Sequence, residues 1–164
     1  MKTIVLFVFL LTYAMQIIAQ PRYPHHIDEH RRKVSVEYAM KNELPLCFVD
    51  VIVDYDTAGT PLLKLFSQNV TTKVIKTYTI EVYCYDRNNA PVHHRSKKTN
   101  VYVGNSEYLT PSLSDVYFPD IWVLDGYDNT SKVKVYLIMV HFWDGTDWIP
   151  KDKKVTLIQS AGFH

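Results

Sequence analysis

The residues best suited to chemistry crowd the region before position 33. His25-His26-Ile27-Asp28-Glu29-His30 contains H-x-x-E-H, the inverted form of a zinc-peptidase signature. That chemistry needs His26 and His30 on one helix face, Glu29 to activate a metal-bound water, and a third ligand from elsewhere. Arg31-Arg32-Lys33 follows at once, and nothing downstream reads as the helices such enzymes use. His25, His26 and His30 are therefore surface imidazoles, at most a weak contact for zinc or copper, and no metal or cofactor is assigned. His93-His94 reads as a surface pair. Asp50, Asp54, Asp56, Asp115, Asp120 and Asp125 form no Asp-x-Asp-x-Asp-Gly calcium loop. No Ser-His-Asp or Cys-His set can be assembled from the spacing. The expectation is a protein that is not an enzyme.

Aromatic residues make up 13% of the chain, with 12 Tyr and 3 Trp. Trp122, Trp143 and Trp148 fall near expected loop ends, where indoles stack on sugars or anchor a protein partner; filling the core is the alternative. Cys47 and Cys84 are an even pair in a chain bound for an oxidising space. A Cys47–Cys84 disulfide would contribute about 3–4 kcal/mol, and two separate buried thiols are the alternative. Asn69-Val70-Thr71 and Asn129-Thr130-Ser131 are glycosylation sequons if the pathway is eukaryotic.

The compartment is read from the first residues. Met1-Lys2-Thr3, the apolar run Ile4–Leu11 and the small residue Ala19 before Gln20-Pro21 follow the secretory signal pattern. Residues 1–19 are assigned as a cleaved signal peptide, an uncleaved anchor being the alternative. No later segment is long and apolar enough to span a membrane. Removing Lys2 leaves 17 basic against 17 acidic residues, which offers no basic excess for nucleic acid.

These residues must be positioned by elements of period two. Residues 20–32, rich in Pro, His and charge, read as a flexible arm, and 33–160 as one domain. Val34, Val36, Tyr38 and Met40 alternate with Ser35, Glu37 and Ala39 as in a half-buried strand. Cys47, Val49, Val51, Val53 and Tyr55 are placed on one face of the next. Asp56–Pro61 is a turn, Leu62–Gln68 a short strand, and Val74–Tyr85 a long one with Val74, Tyr78, Ile80, Val82 and Cys84 on one face. Asp86–Pro91 turns the chain, and His93–Val103 reads as an edge strand. Val116–Val123 is broken by Pro119. In Val133–Trp143, Tyr136, Ile138, Val140 and Phe142 are assigned to one face and Leu137, Met139 and His141 to the other. Asp144-Gly145 is a hairpin signal, Trp148 begins the return, and Val155–Ile158 ends the fold. No segment after the signal shows a 3.6 period. About seven to eight strands point to an all-β, two-sheet antiparallel sandwich, with a closed barrel as fallback.

The run Asn69-Val70-Thr71-Thr72-Lys73-Val74-Ile75-Lys76, followed by Ile80, Val82, Tyr85-Asp86 and Asn89-Ala90-Pro91-Val92, resembles small immunoglobulin-like sandwich domains of secreted and lipoprotein-type bacterial proteins, the FxLYD-like group. Ile138–Gly145 resembles that group's last hairpin, and together the segments cover roughly half of the chain after residue 19. Asn89 stands where Gly is usual, and no lipidation Cys follows the signal. The resemblance implies an immunoglobulin-like, accessory extracytoplasmic module with no enzymatic residues to carry over. The function expected is a secreted binding or adhesion-type domain for an extracellular protein, or alternatively a carbohydrate-binding module using the three tryptophans.

Overall fold

The computed structural model describes residues 27–106, 110 and 119–161. The segment read as a signal peptide, most of the expected arm with His25 and His26, and part of the Val116–Val123 stretch lie outside them.

The first element corrects the sequence reading. Residues Glu29–Lys41 form a helix, α1, where an arm and a strand were expected. Local chemistry explains it. The Asp28 carboxylate caps the start, accepting from the His30 and Arg31 amides at 2.8 and 3.4 Å. Glu29 lies in the first turn and Lys41 in the last, as the helix dipole favours, and Arg32 pairs with Glu29 at 2.8 Å. At the other end Glu43 sits at φ 55. Its amide donates to Met40 O, and the Leu44 amide to Ala39 O, the paired bonds of a Schellman stop. Only Ala39 of this helix is fully buried, so its sequence carries almost no apolar stripe. Val34 and Tyr38 lie one turn apart on the helix and Met40 points to another side, and all three are exposed.

The remainder is β. Strands β1 (Leu46–Tyr55), β2 (Pro61–Asn69) and β5 (Asp120–Val123) make a three-stranded antiparallel sheet in the order β1-β2-β5. Strands β3 (Ile75–Tyr85), β4 (Val101–Asn105), β6 (Lys132–Phe142) and β7 (Asp147–Trp148) make the larger sheet, ordered β4-β3-β6-β7, with β8 (Ile158–Gln159) also pairing β6. The sheets pack face to face around Leu63, Leu65, Ile80, Val82, Leu137 and Val140, all buried. On the outer side of the smaller sheet, α1 covers Cys47, Val49 and Phe66 with Ala39 and Leu44. The layers run helix, small sheet, large sheet.

Three extra residues break the period of two. Phe48 and Asp50 pair with consecutive residues of β2, so Val49 is unpaired. Ile75 and Thr77 pair with consecutive residues of β6, leaving Lys76 over, and Thr79 and Ile80 pair with Met139 and Leu137, leaving Ile138 over. Each bulge moves the side chains beyond it to the opposite face. Cys47 and Val49 therefore face the helix while Val51 and Val53 face the other sheet. Ile75, not Val74, enters the core. In β6, Val133, Val135 and Leu137 share the core with Val140 and Phe142, and Tyr136 lies outside it.

The expected strand His93–Val103 is a loop up to residue 100. His94 holds it: Nδ1 accepts from the Ser96 and Lys97 amides, each at 3.1 Å. The final strand is also interrupted. Between β7 and β8 lies the 3₁₀ turn Lys153–Thr156, and the buried Thr156 hydroxyl substitutes for a strand residue. Its Oγ1 accepts from the Leu137 amide at 3.0 Å and shares its proton between the carbonyls of Leu137 (3.0 Å) and Lys153 (2.7 Å). Thr156→Val keeps the shape and removes those bonds from a buried amide and carbonyl. We predict a loss of about 1–3 kcal/mol in chemical denaturation; an unchanged midpoint would contradict this role.

Candidate binding face

The three tryptophans do not form a platform. Trp122 is only 8% exposed; it packs in the core against Tyr78 and donates Nε1–H to the Asn105 carbonyl at 3.2 Å. Gly104 makes room for it, since a Cβ there would come within 2.9 Å of Trp122 Nε1. Trp148 pairs opposite Val140 and packs against both apolar clusters. Trp143 alone is open, at 65%.

Nor are the cysteines joined. Both are free and buried, Cys47 beneath the helix and Cys84 between the sheets. The Val49 bulge is the reason, because it turns Cys47 away from the core that Cys84 enters. Burial pushes both thiols up to about 12, so neither is a nucleophile at neutral pH. Of the sequons, Asn69 is fully buried. Its Nδ2 donates to the carbonyls of Lys73 at 2.8 Å and Thr110 at 3.2 Å, while Oδ1 accepts from the Thr71 amide and hydroxyl. It is a turn anchor with no room for a glycan. Asn129 is exposed in a turn at φ 65.

One open side of the sandwich lies between the edge strands β4 and β5, lined by Tyr102, Trp122, Val123 and Asp120. Side-chain tips sew it shut. Tyr127 donates to Val101 O at 2.5 Å, Trp122 to Asn105 O, and the Tyr78 hydroxyl to the Asp120 carboxylate. Edge strands are commonly protected against pairing with another chain, and here aromatic hydroxyl and indole groups do it. Burial raises Asp120 above the ordinary carboxylate range, although the Tyr78 bond opposes this. Burial and the Asp120 charge raise Tyr78 as well, so Tyr78 stays the donor.

The outer face of the larger sheet is different. Where α1 covers the small sheet, no described element lies across this one. Thr77, Thr79, Glu81, Tyr83 and Tyr85 of β3 stand beside Lys132, Lys134, Tyr136, Met139 and His141 of β6. Tyr83 and Tyr136 meet edge to face at 5.5 Å. Lysines accompany the rings: Lys153 Nζ lies 5.5 Å from the centroids of both Tyr83 and Tyr136, Lys134 Nζ 5.5 Å from Tyr85, and Lys76 Nζ 5.9 Å from Trp143. The two carboxylates here are already partnered, Glu81 by Lys153 at 2.8 Å and Asp147 by His141. A flat, half-buried aromatic surface with lysines around it can hold a partner by ring contact and charge together.

Sequence reasoning found Trp143 but missed Tyr83, Tyr85, Tyr136, Lys76, Lys134 and Lys153 as a group. The alternation in β3 did place Tyr83 opposite Cys84. The residue pattern groups Tyr136 with Val140 and Phe142 on one face, because the bulge at Ile138 leaves no mark in it. His30 is exposed on the first turn of α1, and among the described residues no group of three or more His, Cys, Asp or Glu could hold a metal ion. Among them, too, no helix is long and apolar enough to cross a membrane. Comparisons with protein-family models and with curated proteins find no match.

Asp120 gives a prediction whose sign is fixed by its environment. Its folded pKa is raised, so the protonated form favours the fold: that stability is present below the unfolded carboxylate range and lost as pH rises through the raised value. Asp120→Asn mimics the protonated form. It should raise stability near neutrality, with the difference from the parent closing by pH 3 in thermal melts. Destabilisation at pH 7 would contradict the account.

Proposed function

We propose that this chain is an extracytoplasmic, non-enzymatic binding domain of interaction or adhesion type, and that it presents the outer face of its larger sheet to an extracellular partner. The observation that carries the reading is the asymmetry of the layers. One sheet has a helix over its outer face; among the described residues, no helix covers Tyr83, Tyr85, Tyr136, Met139 and Trp143 on the other. Tyrosine and tryptophan are the types that dominate binding hot spots.

The groups suited to chemistry have structural work instead. Cys47 and Cys84 are buried thiols, His94 caps its own loop, and Asp120 accepts from Tyr78. The order β1-β2-β5 against β4-β3-β6-β7 supports an immunoglobulin-like sandwich, since it is what that fold gives when its strands are lettered A-B-E and C′-C-F-G. The resemblance to the FxLYD-like group, cleavage after Ala19, secretion and a glycan at Asn129 belong to the same proposal.

The test compares retention on washed extracellular surface material from the source organism. The parent protein should be retained, and a Tyr136→Ser/Trp143→Ser double variant should need at least about tenfold more protein for equal retention, the two side chains together being worth at least 1.4 kcal/mol. An Arg31→Ala control on the helix side should match the parent. Equal retention of the double variant and the parent would overturn the reading.

A further inference from the structure

We infer that the seam between β4 and β5 holds a second site, which takes a primary alkylammonium group on the Asp120 carboxylate beside the Tyr102 and Trp122 rings. The site is separate from the outer face of the larger sheet and does not depend on that reading.

Strand register builds it. Directly opposite residues of an antiparallel pair share a face. Asp120 and Trp122 stand opposite Leu65 and Leu63, and Tyr102 and Gly104 opposite Val82 and Ile80. All four therefore belong to the side of their sheets that looks into the sandwich, at its open edge. Gly104 lets the two rings close over it, since a Cβ there would come within 2.9 Å of Trp122 Nε1 and 3.0 Å of Tyr102 Cε1. The bonds that bridge the seam do not fill it. A hollow of about 330 Å³ remains, lined by Tyr102, Asn105, Ser106, Asp120, Trp122 and the flanking apolar residues of β5.

The charge of this hollow is unbalanced. Its lining has one carboxylate and no Lys, Arg or His. Tyr78 donates to Asp120 Oδ2, and among the described residues Oδ1 has no partner and no cation pairs with the carboxylate. Glu81, half-buried like Asp120, has Lys153 instead. A partly buried carboxylate without a counter-ion costs the free protein stability, and its raised pKa has that same origin in burial. A ligand cation offsets the cost. An ammonium group donates to Oδ1 in a charge-assisted bond and is attracted by the neighbouring rings, while its alkyl stem lies against their apolar edges and Val123. A metal ion does not suit the place, because no group of three or more His, Cys, Asp or Glu is assembled among the described residues. A neutral alcohol could hydrogen-bond to Oδ1 but would leave the charge uncompensated.

The experiment titrates the folded chain with pentylammonium chloride, following the Trp122 indole N–H by NMR, with 1-pentanol and pentanoate as parallel ligands. Pentylammonium should shift that resonance saturably and raise the melting midpoint; pentanol and pentanoate should do neither. Asp120→Asn should weaken pentylammonium binding at least tenfold while melting no lower than the parent, and Asp125→Asn, a carboxylate beyond the hollow, should bind as the parent does. Nα-acetyl-L-lysine amide identifies the source: equal binding supports the site with a protein's lysine side chain as its ligand, and no binding supports it with a free amine. Absence of a saturable shift, an equal response to pentanol, or parent-like binding by Asp120→Asn overturns the inference. Should Asp120→Asn fail to fold, the pentanol and pentanoate comparisons on the parent still decide it.

Discussion

Val49 has no partner on β2. Because of that single extra residue, β1 contributes apolar side chains to two different interiors, Cys47 and Val49 to the space under the helix and Val51 and Val53 to the space between the sheets. A strand of strict alternation could not do this; the side-chain period of two would send all four to one face. The smaller sheet is thus buried on both sides, and a helix with almost no apolar stripe can dock on it through Ala39 and Leu44. At about 25 cal/mol per Å² of buried apolar area, even that modest contact orders a segment whose local capping already favours a helix.

The other features of the fold follow from closing a sandwich whose strands are short or broken. Hydroxyl, carboxylate and indole groups take over where the ladders stop: Thr156 and Ser160 beside β6, Asn69 at the turn after β2, and Tyr127, Trp122 and the Tyr78–Asp120 pair across the seam between β4 and β5. Buried polar groups that are fully partnered specify one arrangement, and partly partnered ones cost stability. With one sheet under a helix and the seam stitched, the outer face of the larger sheet is where, among the described residues, Tyr83, Tyr136 and Trp143 stand beside lysines. Function is read from that remainder.

The sandwich was legible because most strands keep their alternation; β2, β3 and β6 are recognisable from Leu62–Gln68, Val74–Tyr85 and Val133–Trp143. Less legible were the points where alternation changes phase. Bulges at Val49, Lys76 and Ile138 have no composition of their own, so Cys47, Val74 and Tyr136 were put on the wrong faces, and the inferred disulfide failed with the first of them. The helix was missed for a complementary reason. Val34, Val36, Tyr38 and Met40 imitate a strand, while the real signals were end signals, Asp28 before Glu29 and the Ala39–Leu44 stop. As for the binding face, Tyr83 and Lys153 lie far apart in the chain and meet only once the sheet exists.

The account is tested most directly by native-state thiol labelling, because the two cysteines report the two interiors that β1 separates. Two free thiols should be found per chain on full denaturation. At low denaturant Cys47 should label first, with an opening free energy below the global value because undocking α1 exposes it, whereas Cys84 should label only with global unfolding. No reactive thiol after denaturation without reductant, or identical protection of both cysteines, would contradict the two-faced strand on which the structure rests.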